Sequence, residues 1–296
     1  MNFGVACAAL GFICWGLYPL YFRQLASIGA GEVLVHRVFW SLAFLLILLA
    51  ARRRWSWLVA VARQPRVLAA FAASAVLLSI NWVTYIWAVG NDHVVDASLG
   101  YFMTPLVNVA LGTTVLHERL RRIQWFALAL ATLGVLWLTF QAGQLPWIAL
   151  ILASSFGAYG LLRKIATLGA LEGLTLETML LLPAAIAGFW YLQASGSARF
   201  PTPDTATNLW LLGVGPLTAV PLLLFAAGAR RLPLATLGLI QYLSPTLQFL
   251  IGIWVFHEPF SALRMVGFGL IWAALVLYSI DGWRSRSAPQ ALAPSA

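Results

Sequence analysis

The sequence predicts an all-α integral membrane protein of ten transmembrane helices, built as two inverted five-helix repeats. Three observations carry this prediction: apolar runs of spanning length fill nearly the whole chain, one long stretch occurs twice, and the basic residues fall on alternate loops. Of 296 residues, 61% are hydrophobic and 9% charged, against about 25% charged in soluble domains. Such a chain cannot cover itself with a wettable surface.

Crossing ~30 Å of hydrocarbon takes roughly 18 or more apolar residues as helix. Runs of that kind lie near residues 3–22, 32–51, 67–90, 97–116 and 124–140, and again near 146–162, 173–193, 208–229, 233–256 and 265–282. The first run lacks a basic leader and has Trp15 and Tyr18 where a cleavage site needs small residues, so it is a span and not a signal peptide.

Residues 97–140 align with 237–280 without gaps, pairing Leu99 with Leu239, Pro105 with Pro245, Gly112 with Gly252 and His117-Glu118 with His257-Glu258. Thr104 with Ser244 and Asn108 with Gln248 keep a polar group at the same places. Earlier in each half the offset is 141: Trp15-Gly16-Leu17-Tyr18 matches Phe156-Gly157-Ala158-Tyr159, and His36 falls on Glu177. The chain therefore divides into a first repeat, 1–141, a second, 142–283, and a Ser-, Pro- and Ala-rich tail, 284–296, expected to be disordered and cytoplasmic.

With ten spans, fourteen Lys and Arg residues fall on one side and three on the other, with Arg37 inside a span. Cytoplasmic loops hold the excess, which puts both termini in the cytoplasm. Five is odd, so the second repeat enters the membrane upside down, as alternating-access carriers require.

The net charge of +9 and pI near 10.3 are loop charges that orient the chain; no basic-aromatic interleaving marks a nucleic-acid surface. Cys7 and Cys14, seven residues apart on one helix, sit about 10 Å apart and cannot form a disulfide. His117-Glu118 and His257-Glu258 lack the second histidine of a zinc-protease helix, since Arg121 and Ser261 stand there, so no metal is expected. Glu118 is expected to meet Arg119, Arg121 or Arg122. The basic loop around Trp55 and Trp57 is expected to lie on cytoplasmic headgroups.

Ionisable groups within spans are costly and face cavities or partners. His36 and Arg37 in the second span and Glu177 in the seventh are the cases here. Arg37 and Glu177 lie near opposite membrane edges, on the order of 13 Å apart in height, too far for a salt bridge. Trp40, Asn81, Tyr85, Tyr101 and Asn108 from the first half, with Tyr159, Gln241 and Gln248 from the second, add hydrogen bonds and aromatic faces to a candidate substrate cavity. Pro105 and Pro245 are candidate hinges or cavity-shaping residues, because proline removes a helical bond and the repeat places them equivalently. Small residues at Ala127, Ala131 and Gly134, and at Gly269 and Ala273, permit close helix contact within a monomer.

This pattern resembles the EamA branch of the drug/metabolite transporter superfamily and, within it, the RarD permeases. The likeness is carried by Trp15-Gly16, His36-Arg37 with Trp40-Ser41, Ser79-Ile80-Asn81-Trp82, the run from Ala97 through Phe102 to Pro105-Leu106-Val107-Asn108, and Gly173-Leu174-Thr175-Leu176-Glu177-Thr178. The resemblance implies a permease of the bacterial inner (plasma) membrane that exports small metabolites, with spans one to four and six to nine around a central cavity and five and ten outside. It also brings a label of chloramphenicol sensitivity. No cofactor is called for.

The expectation is a secondary transporter of small metabolites or drug-like amphipathic solutes, with His36 and Arg37 favouring a carboxylate and the aromatic residues taking an apolar body. The alternative is an intramembrane enzyme or lipid-handling protein using His36 and Glu177 as acid and base; their separation argues against it.

Overall fold

The computed structural model describes residues 3–52, 55–91, 93–142, 147–257 and 262–287. Arg53, Arg54, Glu258 and residues 288–296 of the tail lie outside them. Thirteen α-helices and no strand occur among the described residues.

The first predicted span is α1 (Phe3–Gly16) followed by α2 (Tyr18–Phe22), jointed at Leu17 just before Pro19, with a 3-10 turn over Arg23–Leu25. The first half continues with α3 (Ala30–Arg52), α4 (Ser56–Ala62), α5 (Pro65–Gly90), α6 (Val94–Thr114) and α7 (Arg122–Ala142). The second has α8 (Trp147–Ile165), α9 (Ala170–Ala194), α10 (Thr205–Ala229), α11 (Leu234–Gln241), α12 (Leu243–Trp254) and α13 (Ala262–Ser287). Eight stretches among the described residues are long and apolar enough to cross a membrane. The eight do not include α6 or the full length of α13, and Met265–Ala274 of α13 is a shorter apolar stretch among the described residues.

Exchanging the two halves maps the helix packing onto itself. α1 packs on α10 as α8 packs on α5; α3 packs on α10 as α9 packs on α5; α6 packs on α8 as α12 packs on α1. α3 meets α9, and α7 meets α13. Close crossings use glycine: a Cβ at Gly215 would stand 2.3 Å from the backbone of Trp40, and one at Gly100 would stand 2.9 Å from the Ala149 Cα. α7 and α13 touch where a Cβ on Gly134 would lie 2.7 Å from the Gly267 carbonyl. The contact in the second half thus runs through Gly267, Ile271 and Ala274 rather than Gly269 and Ala273, which turn outward.

Both helices that precede the His-Glu pairs end alike. The Leu116 N–H reaches back to the Leu111 carbonyl and the Phe256 N–H to that of Ile251. Then His117 and His257 take φ of 53° and 52°, a left-handed conformation uncommon outside glycine. That turn sends Glu118 away from its arginine neighbours. Its Oε1 accepts from the Leu234 N–H at 2.9 Å and lies 3.7 Å from Lys164 Nζ, capping α11 of the other half instead.

Other differences from expectation are local. The ninth span is broken at Tyr242, whereas α6 runs unbroken through Pro105. The Thr104 hydroxyl bonds back to the Gly100 carbonyl at 3.0 Å, while the equivalent Ser244 hydroxyl accepts from Gln248 Nε2 at 3.4 Å. α13 continues through Ser287, four residues into the predicted disordered tail. Trp57 packs on the bundle with Val61, Phe71 and Leu176, leaving Trp55 as the exposed anchor of that loop.

Candidate functional site

Between the halves lies a hollow lined from both. Its aromatic wall comes from Phe12, Trp15 and Tyr18 at the end of the first span, Trp82 and Tyr85 on α5, Tyr101 on α6 and Phe156 on α8. Its polar wall is Arg37, Asn81, Gln241, Ser244 and Gln248, with Leu222 and Pro245 completing it.

Arg37 is 2% exposed. Its guanidinium carbon lies 4.4 Å from the ring centre of Trp82 and 5.5 Å from that of Phe22, so cation–π attraction replaces part of its lost hydration. Nε donates to Thr218 Oγ1 at 3.2 Å, tying α3 to α10 across the halves. The Tyr85 and Tyr101 rings pack at 5.6 Å with their planes tilted by 59°, and the Tyr18 hydroxyl donates to the Leu217 carbonyl at 2.7 Å.

The amides are oriented by hydrogen bonds between helices, as buried amides must be. Asn81 Nδ2 donates to the Leu152 carbonyl and Ser155 Oγ at 3.1 and 3.2 Å. Gln248 Nε2 donates to the Trp15 carbonyl at 3.0 Å. Asn108 Nδ2 donates to Gln241 Oε1 at 2.9 Å, which leaves the Gln241 amide nitrogen as its donor group.

Of the residues singled out in the sequence, Arg37, Asn81, Tyr85, Tyr101, Gln241, Gln248 and Pro245 thus meet at one hollow. Asn108 stands behind Gln241. Pro105 lines a separate crevice with Leu106, Val109 and Leu239. His36 and Trp40 are on the same helix as Arg37 but outside the wall: Trp40 Nε1 donates to His36 Nδ1 at 2.9 Å, and the His36 ring packs on Phe200 at 4.7 Å. Tyr159 is covered by Phe156 and Phe225.

Glu177 occupies a different place. It is fully buried, accepts from the Ser74 hydroxyl, and lies 3.5 Å from Arg163 Nη1. Arg163 is itself fully buried beside Phe71, with Nη2 donating to the Ala170 carbonyl at 3.3 Å. The sequence counts Arg163 as a loop cation, but α8 extends to Ile165, and Phe156, Tyr159 and Arg163 recur on one face at spacings of three and four. Glu32 is also buried; it accepts from the backbone of Arg199 at 2.9 Å and of Phe200 at 2.7 Å. Nothing local in the sequence announces that partner, since it arrives from 167 residues away.

A bundle of long apolar helices around an aromatic hollow with one buried cation is the architecture of a membrane transporter. The profile of the EamA-like transporter family matches residues 2–140. The chain is 46% identical to an uncharacterized transporter of Pseudomonas aeruginosa, over 97% of each chain. It is 46% identical to protein RarD of Streptomyces exfoliatus, covering 95% of this chain and 90% of that one, and 44% identical to protein RarD of Escherichia coli, over 94% of each. A solved crystal structure superposes with a TM-score of 0.68 over 96% of this chain and 99% of that one, at 16% identity, which speaks to the fold alone. The protein belongs to the EamA family, as a permease of the RarD type.

Proposed function

We propose that this protein is a monomeric secondary transporter of the bacterial inner membrane. It exports small amphipathic metabolites by alternating access, through ten spans in two inverted halves with both termini in the cytoplasm. The observation that carries the reading is the central cavity, built from both halves around Arg37, with the exchange of packing partners between halves as support. Paired halves of opposite orientation can swap conformations, opening one site to each face in turn.

Three ion pairs occur among the described residues: Arg163 with Glu177, Lys164 with Glu118, and Arg121 with Asp281. All lie at the end assigned to the cytoplasm, so in this reading they bolt that face while the cavity faces outward. His36 and Glu177 have separate partner sets, which favours transport over an acid–base pair. Counterflow of labelled solute in liposomes tests the reading. Arg37→Gln, losing a charge-assisted contact of roughly 1.5–3 kcal/mol, is expected to cut flux about tenfold or more while insertion is unchanged. Chemical conversion of solute without movement overturns transport, and reporter tags placing the termini on opposite faces overturn the inverted arrangement.

A further inference from the structure

The cavity has one cation and no anion. Among the described residues no Asp or Glu contributes to its wall, and the titratable groups facing Arg37 are the hydroxyls of Tyr18, Tyr85 and Tyr101. The acid nearest in sequence, Glu32, is occupied by the backbone of Arg199 and Phe200. The hydrogen bond of Arg37 to Thr218 uses Nε, and its Nη groups make none among the described residues. Those two groups form the edge that pairs with a carboxylate through parallel bonds.

We propose that the cavity takes aromatic monocarboxylates that carry no ammonium group; the proposal rests on the transport reading and deepens it by naming the solute class. An α-amino acid bound to Arg37 through its carboxylate would hold its ammonium beside the guanidinium. No acidic side chain in the wall would offset that charge, and an uncompensated charge in such surroundings is costly. An amine without the carboxylate gains no pairing with Arg37 and is repelled by it, leaving only contact with the aromatic faces. The ring has a complementary place, since the aromatic side chains of Trp15, Tyr85, Tyr101 and Phe156 line the hollow beside Arg37. Asn81 and Gln248 can meet a ring hydroxyl.

Three probes with one body test this: 3-(4-hydroxyphenyl)propionate, tyrosine and tyramine, which at neutral pH are anion, zwitterion and cation. Equilibrium binding to the purified protein and counterflow in liposomes are measured for each. The acid is expected to bind at least about tenfold more tightly than tyrosine, a gap of ~1.4 kcal/mol, with tyramine weaker still. Arg37→Gln should erase the preference, and Arg37→Lys should keep part of it. Tyrosine or tyramine binding as tightly as the acid, or no probe binding, overturns the proposal. Counterflow of tyrosine or tyramine without the acid overturns the solute class and leaves transport standing. Acid binding that depends on Arg37, with flux of none, supports the class and overturns transport.

Discussion

Ser74 and Gly215 hold the same position in the two halves, yet the crossings they form are chemically opposite. At the α3–α10 crossing, Gly215 lets α10 touch the backbone of Trp40, the Ser41 hydroxyl donates to the Gly215 carbonyl at 3.3 Å, and Arg37 reaches past to Thr218. At the α9–α5 crossing, the Ser74 hydroxyl binds Glu177 and the ion pair with Arg163 closes around it. The same pair of crossings thus carries a cation without an acidic partner, lining the central hollow, at one place and a cation neutralised by Glu177, beside a second hollow, at the other. The two crossings share a packing plan, and the different residues at the aligned positions 36 and 177 give them different chemistry.

The comparison breaks most sharply at the α9–α5 crossing. Glu177→Ala would leave Arg163 buried without its anion, and removing one partner of a buried pair costs about 3–5 kcal/mol. The thermal midpoint of the purified protein should fall accordingly, with Glu177→Gln, which keeps the bond to Ser74, less affected. Gly215→Ala is the matching test at the α3–α10 crossing. The obstructing atoms are backbone, so overpacking of about 1–3 kcal/mol is expected, read in the same assay, whereas Ser74→Ala should leave α5 seated.

Glu118→Gln is a smaller change. The Glu118 and Lys164 side chains are 19% and 22% exposed, and the lost ion pair is worth below about 1 kcal/mol. It should show as faster labelling, by a membrane-impermeant thiol reagent, of a cysteine placed near Leu234.

Asp204→Ala is the mildest, because this N-cap stands in solvent at the start of α10. The Thr207 hydroxyl, the Thr207 N–H and the Ala206 N–H hold its carboxyl below the usual aspartate range. Its stabilisation is therefore present at neutral pH and is lost as the pH falls through that lowered value. Wild type and variant should converge in thermal midpoint there.

The apolar helices and several of the residues around Arg37 were legible because hydropathy and residue identity are local properties. Arg163 was not, because reading apolar runs ends a helix at its first charge, while α8 continues for two residues beyond this one. Glu118 misled because three arginines follow it in sequence, and only the left-handed turn at His117 shows that the chain turns away from them. Pro105 and Pro245 look equivalent on paper, yet the helix breaks near only one of them.

The clamping of Arg37 between Trp82 and Phe22 has a kinetic consequence. Water was stripped from this guanidinium when the chain folded, so an arriving anion meets a cation already dehydrated and aimed. Under the transport proposed above, only the visitor then has to shed its shell, and the dehydration cost of binding falls on the solute rather than on Arg37.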